Sequence, residues 1–307
     1  MIRGRLVLRV LGVLIAGAPA IVGPAHATVL AVAPDPAVHT TASTHRRELP
    51  KGGRRILGHY RVVTYYGGAD GPQLGILGSK PPDQIAGDIE RRARQWRRYG
   101  LPVQPAMELI ATVAQGSAGS DGSYSQPISD GDVQRYLTAA HHHRMLLILD
   151  FQPGHAQFLD QVQHFARFLR DPWVSVALDP EWKMHGHQVP GKVIGHTAAS
   201  AVNSVRHYLA GIVKRDKLPD KLLVVHQFTT DMIRNRDRIK PGPGVEVTFH
   251  ADGFGDPSAK RATWGRLAFP RHPYGAGFKL FTRQDKPMMT PHAVMALRPR
   301  VDLISYQ

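Results

Sequence analysis

The sequence predicts an α/β protein in which residues 56–307 form a closed (β/α)8 barrel of the TIM type, ending on its eighth strand. Eight short runs rich in β-branched residues and leucine alternate with segments of helical spacing, and the last run reaches the C-terminus. Strands that alternate with helices pair in parallel through right-handed crossovers, and closure of the sheet removes both exposed edges. An open doubly wound sheet is the alternative, because periodicity does not show closure.

The predicted strands are apolar on both faces, as buried parallel strands are. In chain order they are YRVVTYY (60–66), MELIATV (107–113), MLLILDF (145–151), VSVALD (174–179), LLVVHQF (222–228), VEVTFHA (245–251), FKLFT (278–282) and VDLISYQ (301–307).

Seven predicted helices separate these strands. Apolar residues recur every three or four positions over 85–96, 158–169 and 202–213, which is typical of amphipathic helices. Shorter helices are predicted over 133–140, 232–239, 259–267 and 293–297.

The first 27 residues have the three-part pattern of a secretory signal peptide. Three arginines precede an apolar run that ends in the small-residue site Ala25-His26-Ala27. Gly17 and Pro19 interrupt the run, so it is shorter than the roughly 20 residues of a membrane-spanning helix. Residues 28–55 lack sustained periodicity and are predicted to be a flexible leader. The sequence therefore predicts a secreted protein, with cell-wall association as a further possibility and no membrane span after processing.

Charge and cysteine content narrow the classes of partner. The chain has no cysteine, so no disulfide framework is available outside the cell. Lys and Arg outnumber Asp and Glu by 39 to 24, and by 36 to 24 without the signal peptide. Such a surface attracts polyanionic wall polymers, whereas no motif typical of nucleic-acid binding is present. The densest basic stretch, residues 91–98, is predicted to be a solvated helix face.

Polar residues cluster at the ends of the predicted strands, where barrel enzymes build their active sites. Since side chains two apart on a strand share a face, Asp179 with Glu181, Asp150 with Gln152, and His250 with Asp252 each form a pair. The predicted site residues are Tyr65, Tyr66, Asp150, Gln152, Asp179, Glu181, Trp182, His226, Gln227, His250, Asp252 and Tyr306.

Two neighbouring carboxyls do not both ionise freely, so one is expected to act as an acid while the other stays a carboxylate. Glycoside hydrolysis uses this division between two acids. Trp182, next to Glu181, is predicted either to stack on a sugar ring or to pack against the barrel rim.

The motif LDPE (178–181) resembles the Asp-x-Glu strand end of family-18 chitinases and family-25 muramidases. This resemblance implies that Glu181 is the proton donor. It also implies that Asp179 orients an acetamido group or stabilises positive charge at the sugar, and that Tyr306 lines the sugar subsite. The fuller chitinase pattern has acids where this chain has Ala177 and Val174, and the muramidases have an acid where this chain has residues 65–67, Tyr-Tyr-Gly.

The wider chain, over residues 60–307, resembles a group of exported actinobacterial proteins of unassigned activity. The segments that carry the resemblance are YYGG, LILDFQPG, ALDPEW, VVHQFT, FHADGFG and ISYQ. It implies no mechanism.

These observations predict a secreted glycoside hydrolase, or a glycosidase-like protein, that acts on a cell-wall or extracellular polysaccharide. A non-catalytic barrel that binds wall glycan is the alternative. A metal-dependent hydrolase using Asp150, His226, His250 and Asp252 is less favoured, because no HxH or HExxH spacing is present, and the sequence predicts neither metal nor cofactor. The histidines of HHHR (141–144) are predicted to complement a helix C-terminus.

Overall fold

The structure, a computed structural model, describes residues 48–267 and 273–307. The predicted signal peptide and residues 28–47 of the predicted leader lie outside the described residues. Eight parallel strands form a closed barrel, because the first strand pairs with both the second and the last barrel strand. The predicted TIM-type (β/α)8 fold that ends on its eighth strand is confirmed.

The barrel strands are β1 (Arg61–Gly67), β2 (Val103–Ala114), β4 (Leu146–Phe151), β5 (Val174–Leu178), β7 (Lys221–Gln227), β9 (Val245–Ala251), β10 (Gly275–Leu280) and β11 (Leu303–Tyr306). The short strand β3 (Ser125–Pro127) pairs antiparallel with the end of β2. A separate two-stranded sheet consists of β6 (Thr197–Ala198) and β8 (Ile233–Arg234).

Six α-helices are found in the described residues: α1 (Pro82–Arg94), α2 (Asp130–His143), α3 (Phe158–His164), α4 (Ala199–Asp216), α5 (Pro257–Leu267) and α6 (Pro291–Met295). The helix predicted over 232–239 is wrong, because this segment consists of strand β8 between two 3-10 turns. No helix among the described residues has the length and apolar character needed to cross a membrane.

Two features of the helix layer follow the sequence predictions. In the basic stretch 91–98, Ala93 and Trp96 face the core while most of the arginines stay exposed. The histidine run closes α2, whose C-cap Arg144 adopts a left-handed conformation. His141 Nε2 lies 2.8 Å from an Asp171 carboxylate oxygen, which ties this helix end to the segment before β5.

Two apolar clusters sit on opposite faces of the barrel wall. The inner cluster draws on alternate strand residues such as Val62, Ala106 and Ile148. Their neighbours along the strands, such as Val63 and Met107, join the outer cluster with the helices. This alternation follows from the two-residue period of a strand, and it fixes which side chains reach the barrel axis.

Residues 48–55 belong with the barrel rather than with the predicted leader. Leu49 is 2% exposed and joins Ile56 in the inner apolar cluster. Trp173 Nε1 donates a hydrogen bond to the carbonyl of Glu48 at 2.9 Å, and Arg144 Nε donates to the carbonyl of Pro50 at 2.9 Å. This short segment therefore packs under the barrel, opposite the strand ends that carry the polar residues.

Candidate active site

Toward the carboxyl ends of the strands, the inner face of the barrel changes from apolar to polar. The change comes two residues after the inner apolar cluster: Ala106 is followed by Glu108, Ile148 by Asp150 and Ala177 by Asp179. The polar layer, called the mouth cluster below, consists of Tyr66, Glu108, Asp150, Asp179, His226, His250, Asp252, Lys279 and Ser305, and each of these residues is at most 7% exposed.

The two acids of the LDPE motif lie at the end of β5 in different environments. The strand ends at Leu178, and Asp179 begins a 3-10 turn over Pro180–Trp182 because Pro180 has no N–H for the ladder. Glu181 therefore lies in this turn, whereas the predicted pairing placed it on the same strand face as Asp179. Asp179 is 1% exposed, whereas Glu181 keeps contact with solvent.

A hydrogen-bonded group centred on the Tyr66 hydroxyl surrounds Asp179. The hydroxyl lies 3.2 Å from Asp150 Oδ2 and 3.4 Å from Asp179 Oδ2. Gln152 Nε2 donates to the same hydroxyl at 3.1 Å. One hydroxyl hydrogen serves only one carboxylate at a time, so a proton on one of the two acids is needed to complete the group.

The protonation of the three acids follows from their surroundings. Burial, reinforced by the nearby charge of Asp179, raises the pKa of Asp150 well above its usual value. Burial also raises the pKa of Asp179, to about 6, against the opposing effect of His226. The pKa of Glu181 is raised well above its usual value by desolvation and then by the charge of Asp179. The charge of Asp179 thus favours the protonated form of Glu181, which is the form that a proton donor needs.

A chain of ionic contacts crosses the mouth cluster. His226 Nδ1 lies 2.8 Å from Asp252 Oδ2, and His226 Nε2 lies 2.9 Å from Glu108 Oε1. The Lys279 ammonium lies 3.1 Å from Asp252 Oδ1 and 3.6 Å from the centre of the Tyr66 ring. This chain places two potential cations among the buried acids.

The same contacts determine the protonation states of Asp252, His226 and Lys279. Burial opposes ionisation of Asp252, but Lys279 and the His226 hydrogen bond outweigh it and hold the pKa of Asp252 below its usual value. Burial likewise opposes protonation of His226, yet the Asp252 and Glu108 carboxylates raise its pKa well above the usual value. Surrounding acids, led by Asp252, overcome burial and raise the pKa of Lys279.

His250 lies beside His226, with ring centres 4.7 Å apart. Its Nε2 is 3.0 Å from the Ser305 hydroxyl. Gly277 on the neighbouring strand makes room for it, since a Cβ there would lie 3.0 Å from His250 Cδ2. Burial and then the His226 charge lower the pKa of His250 well below its usual value, so this imidazole is neutral.

Six of the predicted site residues lie outside the mouth cluster. Two of them, Gln152 and Glu181, interact with it directly through their side chains, and the other four do not. Tyr65 and Tyr306 point toward the helices, where Tyr306 accepts a hydrogen bond from Trp96 Nε1 at 3.2 Å and packs edge-on against Tyr65. Gln227 ties down the loop after β7, donating to the Thr229 carbonyl at 2.9 Å. Trp182 lies partly exposed in the 3-10 turn.

The sequence reasoning missed Glu108, Lys279 and Ser305. The two charged residues lie within predicted strands, one position after Met107 and Phe278 respectively, and not at strand ends. A signal was present, because a charged residue inside a buried strand costs free energy unless a partner is buried with it. An acid in one apolar run and a lysine in another therefore indicated a buried ionic cluster.

Potential metal ligands occur in three groups among the described residues. Two overlap in the mouth cluster, Glu108–His226–His250 and Asp179–His226–Asp252, and the third, Asp83–His142–His143, lies on the surface. Within each group the ligand atoms lie within 4.8 Å of one another.

Comparisons with known proteins add little to this geometry. No family model and no curated protein sequence matches the chain. Among solved structures, the crystal structure of a GH18 chitinase from Pseudoalteromonas aurantia is similar over 80% of this chain and 93% of that chain, with 10% sequence identity and a TM-score of 0.39. At this identity and TM-score nothing about function follows from the similarity.

Proposed function

We propose that the protein is a secreted glycoside hydrolase that acts on a cell-wall or extracellular polysaccharide. The observation that carries the proposal is the contrast between two adjacent acids at the barrel mouth. Glu181 is a partly exposed residue whose carboxyl is desolvated, which raises its pKa well above its usual value, whereas Asp179 is buried. An acid that stays protonated, next to a second carboxyl, is what cleavage of a glycosidic bond requires.

In this proposal Glu181 protonates the leaving oxygen and Asp179 steadies the positive charge that develops on the sugar. The Tyr66 hydroxyl holds Asp179 in position, and Asp150 and Gln152 hold that hydroxyl. Substrate contact by Tyr66, Asp150 and Gln152 stays a prediction. Asp150 stands opposite Ala177 in the β4–β5 register. The neighbouring strand thus supplies an acid beside the position where the chitinase pattern has one.

Substrate contact by Tyr65, Trp182, His226, Gln227, His250, Asp252 and Tyr306 remains a prediction. Among them Trp182 is the best placed to meet a sugar, since it is partly exposed and follows Glu181 directly. An aromatic face beside the acid offers a surface for the C–H face of a sugar ring.

The test measures the release of reducing ends from a panel of wall glycans. Glu181→Gln removes the proton donor, and its kcat is expected to fall by roughly 10²–10⁴-fold. Glu90→Gln, on the outer helix α1, is the matched control and should keep wild-type activity. Equal activity of Glu181→Gln and wild type on every glycan cleaved would reject the assignment.

A second substrate series separates proton donation from binding. An aryl glycoside with a good leaving group needs little protonation, so Glu181→Gln should lose much less activity on it than on the natural polysaccharide. An equal loss on both substrates would indicate that Glu181 acts in some other way.

A wall-glycan binding protein without turnover is the second candidate, and the near-complete burial of the mouth cluster favours it. Asp150 and His226 are 0% exposed, so a polymer chain does not reach them in this conformation. Cosedimentation with purified cell wall tests this function. Binding that is lost in Trp182→Ala, with no reducing ends released by wild type, would favour the binder over the hydrolase.

Export and attachment to wall polymers are part of the proposal and rest on the N-terminal pattern and the basic composition. N-terminal sequencing of the mature protein is expected to begin at Thr28. Salt should weaken its binding to an anionic wall polymer, because interactions between exposed charges are screened.

A further inference from the structure

The first metal-ligand group of the mouth cluster, Glu108–His226–His250, combines two imidazoles with one carboxylate. The three residues come from β2, β7 and β9, and all are 0% exposed. Their ligand atoms lie within 4.8 Å of one another, close enough to surround a single ion. This residue set is found on three strands of the barrel and leaves no spacing motif in the sequence.

The hydrogen bonds of the two histidines present the right nitrogen atoms to an ion. A carboxylate only accepts hydrogen bonds, so His226 Nδ1, at 2.8 Å from Asp252 Oδ2, carries a hydrogen and leaves Nε2 toward Glu108. When His250 Nε2 donates to Ser305 at 3.0 Å, its Nδ1 lone pair is left available. Metal-binding histidines usually have their second ring nitrogen held by a carboxylate or another polar group in this way.

Two of the three residues have a buried polar atom without a hydrogen-bond partner. These atoms are Glu108 Oε2 and His250 Nδ1. An unsatisfied buried polar atom costs free energy, and with the His250 hydrogen on Nε2 both of these atoms are acceptors. A cation bound by both atoms would satisfy them, whereas another acceptor would not.

The neighbouring charges leave room for this assignment. Lys279 forms its ion pair, at 3.1 Å, with Asp252, the carboxylate that orients His226. Glu108 has no such pair with Lys279 among the ion pairs of the described residues. In the ion-free protein a proton joins His226 Nε2 to Glu108 Oε1 at 2.9 Å, and a bound ion would replace that proton. The overlapping group with Asp179 is less suitable, because it would use Asp252, which Lys279 already neutralises.

We propose that Glu108, His226 and His250 bind one divalent transition-metal ion of the Zn²⁺ type, with Asp252 and Ser305 orienting the two imidazoles. A mixed set of nitrogen and carboxylate ligands suits Zn²⁺ and its first-row neighbours, whereas Ca²⁺ and Mg²⁺ prefer oxygen ligands alone. The proposal does not rest on glycoside hydrolysis, since a glycan-binding barrel would hold the same ion.

Isothermal titration of chelator-treated protein with ZnCl₂, combined with metal analysis, tests the site. Wild type is expected to bind one tightly held Zn²⁺, and CaCl₂ should not compete. His250→Gln and Glu108→Gln should lose the tight site. Ser305→Ala and Asp252→Asn should weaken it by roughly 10–100-fold, the usual effect of removing an orienting partner.

The surface group Asp83–His142–His143 supplies the matched control. His142→Ala removes a possible exposed ligand, and the tight site should be unchanged in it. Wild-type Zn²⁺ binding that survives in His250→Gln but disappears in His142→Ala would overturn the proposal.

A measurement on wild type alone guards against variants that do not fold. Co²⁺ added to folded, chelator-treated protein should give visible absorption bands of a low-coordinate nitrogen and oxygen site, and one equivalent of Zn²⁺ should abolish them. Two results together would also overturn the proposal: no such bands in folded wild-type protein, and uptake of less than about 0.1 equivalent of tightly held Zn²⁺, which is negligible occupancy.

Discussion

The Lys279→Met substitution tests whether the mouth cluster depends on one buried cation. Lys279 lies 3.1 Å from Asp252 and 3.6 Å from the centre of the Tyr66 ring, and it is 2% exposed. At an effective dielectric constant of about 20, two unit charges at this separation attract by roughly 5 kcal/mol. Removing one partner of a buried pair usually costs about 3–5 kcal/mol, because the other charge is left uncompensated. We therefore expect the free energy of unfolding at pH 7 to fall by about 3–5 kcal/mol.

Urea denaturation followed by circular dichroism measures this change. Lys80→Met is the control: Lys80 forms an exposed ion pair with Asp88 at 2.6 Å, so its loss should cost less than about 1 kcal/mol. The double variant Lys279→Met/Asp252→Asn should lose less stability than the sum of the single variants, since both charges leave together. A loss below about 1 kcal/mol in Lys279→Met would refute the reasoning.

The pH dependence of the same comparison has a fixed sign. The folded pKa of Asp252 is lower than its unfolded value near 3.8. Its pairing therefore stabilises the fold above that pH and is lost as the pH falls through the folded pKa. In Lys279→Met the carboxyl lacks its cation and takes up a proton more readily. The difference in stability between wild type and Lys279→Met should accordingly shrink as the pH falls below about 4.

Three further predictions concern the two ends of the barrel. Asp179→Asn should remove a contribution of about 2 kcal/mol to the fall in stability between about pH 4 and about pH 6, because burial raises the pKa of Asp179 to about 6 and its ionised form disfavours folding. Urea titrations of wild type and variant at each pH measure this difference. Glu246 Oε2 accepts hydrogen bonds from the backbone N–H groups of residues 56 and 57 at 2.8 and 3.1 Å. Glu246→Ala should therefore destabilise the protein by roughly 1–3 kcal/mol, and Glu246→Gln by less. Equal unfolding midpoints for the two variants would contradict this. Gly154 has a φ of +56°, and a Cβ added there would lie 2.2 Å from the Ser123 carbonyl oxygen. Gly154→Ala should therefore lower the free energy of unfolding by about 1 kcal/mol or more, measured by thermal unfolding. An unchanged Tm would show that the loop relaxes freely.

The alternation of strands and helices could be predicted because it is a local property of the chain. The run MLLILDF matches β4 (Leu146–Phe151), and the helical spacing over 202–213 falls inside α4 (Ala199–Asp216). Where the local pattern was weak the prediction failed, as over 232–239, where 3-10 turns and a short strand replace the helix. Residues 48–55 have no periodicity, and only their contacts under the barrel show that they belong to it.

The sequence predicted which strands end in polar residues, but it did not predict in every case whether those side chains face the barrel axis or the helices. Asp150 and Asp179 lie at strand ends and do meet at the Tyr66 hydroxyl. Tyr65 and Tyr306 also lie at strand ends, yet they point toward the helices. The two-residue period tells which residues share a face, but it does not tell which of the two faces turns inward.

The sequence alone predicted the alternating elements, the closed barrel as the favoured architecture and the acids at the ends of its strands. These features follow from short-range periodicity and from the types of residue. Only the tertiary structure shows that Glu108, His226, Asp252 and Lys279 contact one another. Three of these residues lie on different strands and Asp252 directly follows a fourth strand. The tilt and stagger that close a barrel decide which side chains lie at the same height on its axis.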